Sequence, residues 1–118
     1  MAHEPSEPEF SAAPALHDGE IVITVRGELD LATVPELGTA IDAALRIHPY
    51  VMILDLESVT FMDSTASGFL VEARTKAQRA VVDLKLRGIT ANCRRTLELL
   101  ELDQLFTFVP DGDHPDGS

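Results

Sequence analysis

Positive charge is scarce in this chain. Nine Lys and Arg stand against twenty Asp and Glu, a formal net charge of −11 over 118 residues. Phosphate neutralisation needs clustered cations, and Arg94–Arg95 is the only adjacent basic pair. No direct contact with nucleic acid or with an anionic membrane surface is expected. A partner carrying a basic patch is instead steered toward the chain. Long apolar runs are also missing, and none approaches the roughly 20 residues that cross a bilayer. The opening MAHEPSEPEFSAAPALHDGE lacks a basic start and the apolar stretch of about 7–15 residues found in a secretion signal. The expected location is the cytoplasm. Cysteine occurs once, at Cys93, which excludes an internal disulfide. Arg94 and Arg95 beside it offer a route to a reactive thiol; the alternative is a small residue packed on a helix. His3, His17, His48 and His114 have no metal-ligand spacing, so neither metal nor cofactor is expected.

The length and the 45% apolar content fit one domain with a modest core. Residues 1–17, rich in Pro, Ser, Ala and Glu, read as a flexible tail, with one added strand as the alternative. His17-Asp18-Gly19 is a turn, and Glu20–Arg26 (EIVITVR) a strand. Gly27-Glu28-Leu29-Asp30 ends that strand with a sharp change of direction. Thr33 and Glu36 form a capping box with Pro35 in the first helical turn. Val34, Leu37, Ile41, Ala44 and Leu45 recur at helical spacing, and His48-Pro49 closes this helix. Tyr50–Leu56 is apolar on both faces, as a central strand is, and Ser58–Met62 continues its path. From Thr65, the residues Ala66, Phe69, Leu70, Ala73 and Ala77 make one helical stripe. Ala80–Arg87 contains a further strand. Thr90–Glu101 is a helix with Cys93, Leu97 and Leu100 inside, and Leu105–Val109 a last strand. Residues 111–118 form a polar tail expected to be disordered. The expected fold is α/β: a single domain over 18–110, with a mixed sheet of four or five strands and three to four helices mainly on one face.

The most informative stretch is Val51–Gln78, where an apolar strand meets the polar corner Asp63-Ser64-Thr65 and an amphipathic helix leaves it. Asp, Ser and Thr are ordinary helix caps. One cap suffices, however, and three such residues stand in a row. Gly68 in the first part of the helix costs roughly 1 kcal/mol relative to Ala, which points to close approach by a partner or to tight packing on the sheet. A hydroxyl beside a carboxylate at the positive end of a helix suits a reversible phosphate.

These residues resemble the signature of the anti-sigma factor antagonists of the STAS fold. The likeness rests on Phe61-Met62-Asp63-Ser64-Thr65 with Gly68, on Arg26-Gly27-Glu28-Leu29-Asp30 with Thr33, and on Ile53–Val59, in that spacing over about residues 18–109. The resemblance implies binding to an anti-sigma factor that is also a serine kinase, with release of a sigma factor. It implies phosphorylation of Ser64, with Thr65 the weaker candidate, and reversal by a serine phosphatase. It implies a partner-binding set of Asp30, Asp63, Ser64, Thr65, Ser67 and Gly68, with Asp30 near the serine, and no catalysis by the chain itself. Family members commonly carry Gly-Leu after the two hydroxyl residues, where this chain has Ala66-Ser67. Ala66 stiffens the helix start and Ser67 removes an exposed apolar contact, and together they open a second reading: a non-switching STAS scaffold or ligand sensor. Two other classes fit less well. A receiver domain built on Asp55 lacks a paired acidic site, having only Glu28 and Asp30. A hydrolase built on Ser64 lacks Gly-x-Ser-x-Gly and a histidine placed to serve it.

Overall fold

The β-branched run at Glu20 does form a strand, and it extends beyond the glycine expected to end it. The computed structural model describes residues 9–110. Strand β1 spans Ser11–His17, β2 Glu20–Leu29, β3 Val51–Met62, β4 Asp83–Arg87 and β5 Thr107–Val109. Helix α1 spans Val34–Leu45, α2 Ser64–Arg79 and α3 Ala91–Leu99, with a 3-10 turn at Asp103–Leu105. The strands form one sheet in sequence order. β1 is antiparallel to β2, and β2 through β5 are parallel. This is the α/β mixed-sheet architecture read from the sequence, with five strands and three α-helices among the described residues. The polar tail at 111–118 and the first eight residues of the N-terminal segment lie outside the described residues. Residues 11–17 take the added-strand alternative.

Strand periodicity sorts the two faces. Ile21, Ile23, Val25 and Leu29 on β2, Met52, Leu54 and Leu56 on β3, and Leu84 and Leu86 on β4 point into one core. The inner faces of all three helices close it: Leu37 and Ile41 from α1, Leu70 and Ala77 from α2, Cys93 and Leu97 from α3. Removing this apolar surface from water is what holds the layers together. Burial also decides between the two readings of Cys93, whose thiol is packed inside the core. On the opposite face, Arg87 reaches Asp55 at 3.0 Å. Asp55 therefore sits within β3 as half of a partly buried ion pair, away from any phosphoacceptor corner.

Several local expectations are corrected. β2 passes through Gly27 to Leu29. Gly27 adopts φ +101, and a Cβ there would lie 3.1 Å from the Cα of Phe10. The pairing with β3 shifts register between Gly27 and Glu28, so the glycine makes a bulge rather than a corner. Thr33 precedes α1 but makes no side-chain cap bond, so the capping box does not form. Helix α1 stops at Leu45, three residues before His48-Pro49, with Leu45 only half-buried. The fourth strand starts at Asp83, because Ala80–Val82 terminates α2: Val81 N donates to Gln78 O and Val82 N to Ala77 O, with Val81 left-handed at φ +59. That is a Schellman ending with valine where glycine is usual. Leu100 is exposed, since α3 ends at Leu99 and the chain turns away. The last strand begins at Thr107, after the 3-10 turn.

Candidate functional site

Parallel strands β2 and β3 end side by side, and each delivers its chain into a helix. Their last residues pair, Leu29 with Met62. One residue on, Asp63 N donates to Leu29 O at 3.3 Å. The Asp30 loop and the Asp63-Ser64 corner are thus neighbours, bringing together the two segments singled out in the sequence.

Three candidates compete to cap α2, and Asp63 fills the role. Its backbone is extended at φ −96, ψ −178, and its Oδ1 accepts from Ala66 N at 2.8 Å. Its carbonyl accepts from both Ser67 N and Ser67 Oγ, each at 3.1 Å. A capping carboxylate at this end also meets the positive pole of the helix. Ser64 is left as the first helical residue, exposed, and among the described residues its hydroxyl makes no hydrogen bond that holds the corner. Thr65 and Gly68 are exposed as well. A Cβ placed on Gly68 would meet nothing within 4 Å. This removes the tight-packing explanation for that glycine and leaves an open patch of backbone.

Ser67 does not belong to this surface. It is fully buried, with its hydroxyl satisfied by Asp63 O. The expectation that it presents a contact is corrected: immediately after the exposed pair Ser64-Thr65 the helix turns inward, burying Ala66 and then Ser67.

The Asp30 loop is tied down by its own side chains. Asp30 Oδ1 accepts from Ala32 N at 3.0 Å and Thr33 N at 3.2 Å. Thr33 Oγ1 accepts from Asp30 N at 2.9 Å and donates to Glu28 O at 2.8 Å. This bonding explains why Thr33 is absent from the cap. The loop so held presents Leu31 to solvent at 72% exposure, and Phe61, beside Glu28 in register, is 48% exposed. The sequence reading did not place these two apolar residues at the site. The sequence pattern misleads here: Leu31 continues the alternation through Val25 and Leu29, but β2 ends at Leu29 and the loop turns Leu31 outward.

The described histidines do not serve Ser64. His17 follows from β1 into the turn before β2, and His48 lies between α1 and β3, both at the opposite ends of the parallel strands. Among the described residues no group of three or more His, Cys, Asp or Glu is placed to hold a metal. No helix among them is long and apolar enough to cross a membrane. What the corner offers is a reachable alcohol next to the carboxylate that caps its helix, with the Asp30 loop alongside.

Comparison with known proteins gives one family. Residues 12–113 match the STAS domain model. The chain is 31% identical over 91 residues to the anti-sigma-F factor antagonist RsfB of Mycobacterium tuberculosis, covering 76% of this chain and 73% of that one. It is 31% identical over 85 residues to the anti-sigma-B factor antagonist of Listeria monocytogenes, covering 72% and 75%. Its fold matches the crystal structure of an anti-sigma factor antagonist from Mycobacterium paratuberculosis with a TM-score of 0.78, at 28% identity and 89% coverage of each chain.

Proposed function

The chain belongs to the STAS-domain anti-sigma factor antagonist family, and we propose that it binds an anti-sigma factor through the Ser64 corner and is switched off by a phosphate on Ser64. The partner is an anti-sigma factor with serine kinase activity, and a serine phosphatase reverses the mark. Binding frees a sigma factor for transcription in the cytoplasm, and the chain itself catalyses nothing. The binding surface comprises Asp30, Asp63, Ser64, Thr65 and Gly68. The observation that carries this reading is the division of roles at the corner: Asp63 caps the helix, and the exposed Ser64 is spare for modification.

The energetics favour a switch of binding over a switch of fold. A phosphate adds about −1.5 to −2 charges. The α2 N-terminus holds it by about 0.3–1 kcal/mol, while Asp63 and Asp30 repel it. These local terms largely offset each other. At an interface, an unpaired buried charge costs on the order of 2–5 kcal/mol, roughly 30- to several-thousand-fold in affinity. Ala66 and Ser67, the two departures that open the scaffold reading, are both buried, so they alter the core of the corner and not its exposed surface.

The test is to incubate the chain with candidate anti-sigma kinases and ATP, map the phosphate by peptide mass spectrometry, and measure affinity for the same kinase. Label on Ser64, binding retained in Ser64→Ala and weakened in Ser64→Asp are the expected results. Wild-type affinity in Ser64→Asp would falsify the switch, and tight binding with no label would make the chain a scaffold.

A further inference from the structure

Thr33 stands where a cap for α1 belongs, yet its hydroxyl works in the opposite direction. A capping threonine takes an extended backbone and accepts from the helix. Thr33 is instead at φ −105, ψ −19 and makes no cap bond. Its Oγ1 turns back to β2, donating to Glu28 O at 2.8 Å and accepting from Asp30 N at 2.9 Å. One hydroxyl thus ties the start of α1 to the end of the strand before it.

The residues enclosed by that tie are Leu31 and Ala32. Ala32 N donates to Asp30 Oδ1 at 3.0 Å. Thr33 N and Val34 N both donate to Asp30 O, at 3.1 and 2.9 Å. Leu31 is therefore held from both sides by hydrogen bonds, while its own side chain is 72% exposed and takes no part in the core. The loop also leaves the edge where Leu29 O accepts from Asp63 N at 3.3 Å, which fixes its start relative to the Ser64 corner.

An exposed leucine gains the fold little burial, so this bonding is poorly explained by stability. It is well explained by binding. Ordering a loop at the moment of association costs affinity, and a loop already ordered avoids that cost. Groups that touch a partner are placed accurately when the residues behind them are locked by hydrogen bonds.

We infer, on the antagonist reading, that Thr33 is a positioning residue for partner recognition: its hydroxyl fixes the Asp30 loop so that Leu31 meets the anti-sigma factor already in place. Thr33→Val removes the hydroxyl and keeps the branched shape, Thr33→Ala removes it by a second route, and Thr33→Ser keeps it.

The test is a double-mutant cycle with Leu31→Ser, read by titration calorimetry against an anti-sigma factor, together with amide hydrogen exchange of the free chain. Thr33→Val and Thr33→Ala are each expected to bind roughly tenfold more weakly, with Thr33→Ser close to wild type and circular dichroism native throughout. In the Leu31→Ser background the same changes are expected to cost about threefold or less, because residues acting through one another are not additive. In the free chain, exchange at the Asp30 and Ala32 amides is expected to quicken in Thr33→Val. A full tenfold loss in the Leu31→Ser background overturns the inference by making the effect independent of Leu31. Wild-type affinity in Thr33→Val, or unchanged exchange at Asp30, overturns it by showing that the hydroxyl does not hold the loop. A wild type that binds no anti-sigma factor overturns the antagonist reading itself, and the role of Thr33 with it.

Discussion

The backbone N–H of Asp63 is bonded to the carbonyl oxygen of Leu29 at 3.3 Å. This bond extends the β2–β3 pairing one residue past the last ladder pair, Leu29 with Met62. The two loops therefore begin from a common rigid edge. A functional constellation is held most accurately when it stands on such elements, and the Asp30 loop and the Ser64 corner both do.

Removing the cap should be felt by the fold. Asp63→Ala loses the 2.8 Å bond to Ala66 N and is expected to cost about 1 kcal/mol of stability, within a range of roughly 0.5–2. Asp63→Asn keeps an acceptor and should lose less. Urea unfolding of the two variants checks the order, and an Ala variant as stable as wild type would mean that Asp63 is not the working cap.

Gly68 is a place where stability and function should part. Its Cβ position is empty space, so Gly68→Ala is expected to raise stability by about 1 kcal/mol. The added methyl sits on the proposed partner surface, where affinity should fall. Thermal melting paired with titration calorimetry against the anti-sigma factor reads both directions; a gain in stability with unchanged affinity removes Gly68 from the interface.

Leu31 is solvated on a loop fixed by Asp30 and Thr33, so it contributes little to the folded state. Leu31→Ser is expected to leave the urea midpoint nearly unchanged and to weaken partner binding by about 1–2 kcal/mol, the effect of losing an apolar anchor. A markedly destabilised variant would instead assign Leu31 a packing role.

Helix α3 ends as α2 does. Glu101 N donates to Glu98 O and Leu102 N to Leu97 O, with Glu101 left-handed at φ +59. An L-residue in that conformation costs about 1–2 kcal/mol. Glu101→Gly is expected to recover about 1 kcal/mol of that cost, after allowing for glycine's greater freedom in the unfolded chain. The measurement is again a denaturant midpoint, and a lower midpoint would contradict the Schellman assignment.

The sequence revealed the layout because burial leaves a periodic trace. Alternation in EIVITVR and the stripe Ala66–Leu70–Ala73–Ala77 are consequences of one face meeting the core. Element ends were harder to read. Gly27 looked like a stop, yet a glycine within a strand also makes a bulge, and only the neighbouring Phe10 backbone distinguishes the two. Val81 looked like strand because valine favours strands; the bonds Val81 N to Gln78 O and Val82 N to Ala77 O place it instead in the left-handed residue that ends α2. At the site, Asp63 and Ser64 were both plausible caps by residue type, and the choice depends on a backbone angle that composition does not encode. Ser67 read as surface because the resemblance implied an exposed contact at that position. A single bond to Asp63 O lets it sit inside instead.

Because Asp63 secures the helix, position 64 carries almost no folding constraint. Alcohol, acid or methyl can occupy it while the same scaffold stands. The phosphate switch proposed at Ser64 therefore rests on a position that evolution or an engineer could edit freely, installing, fixing or erasing it in one substitution without rebuilding the molecule that carries it.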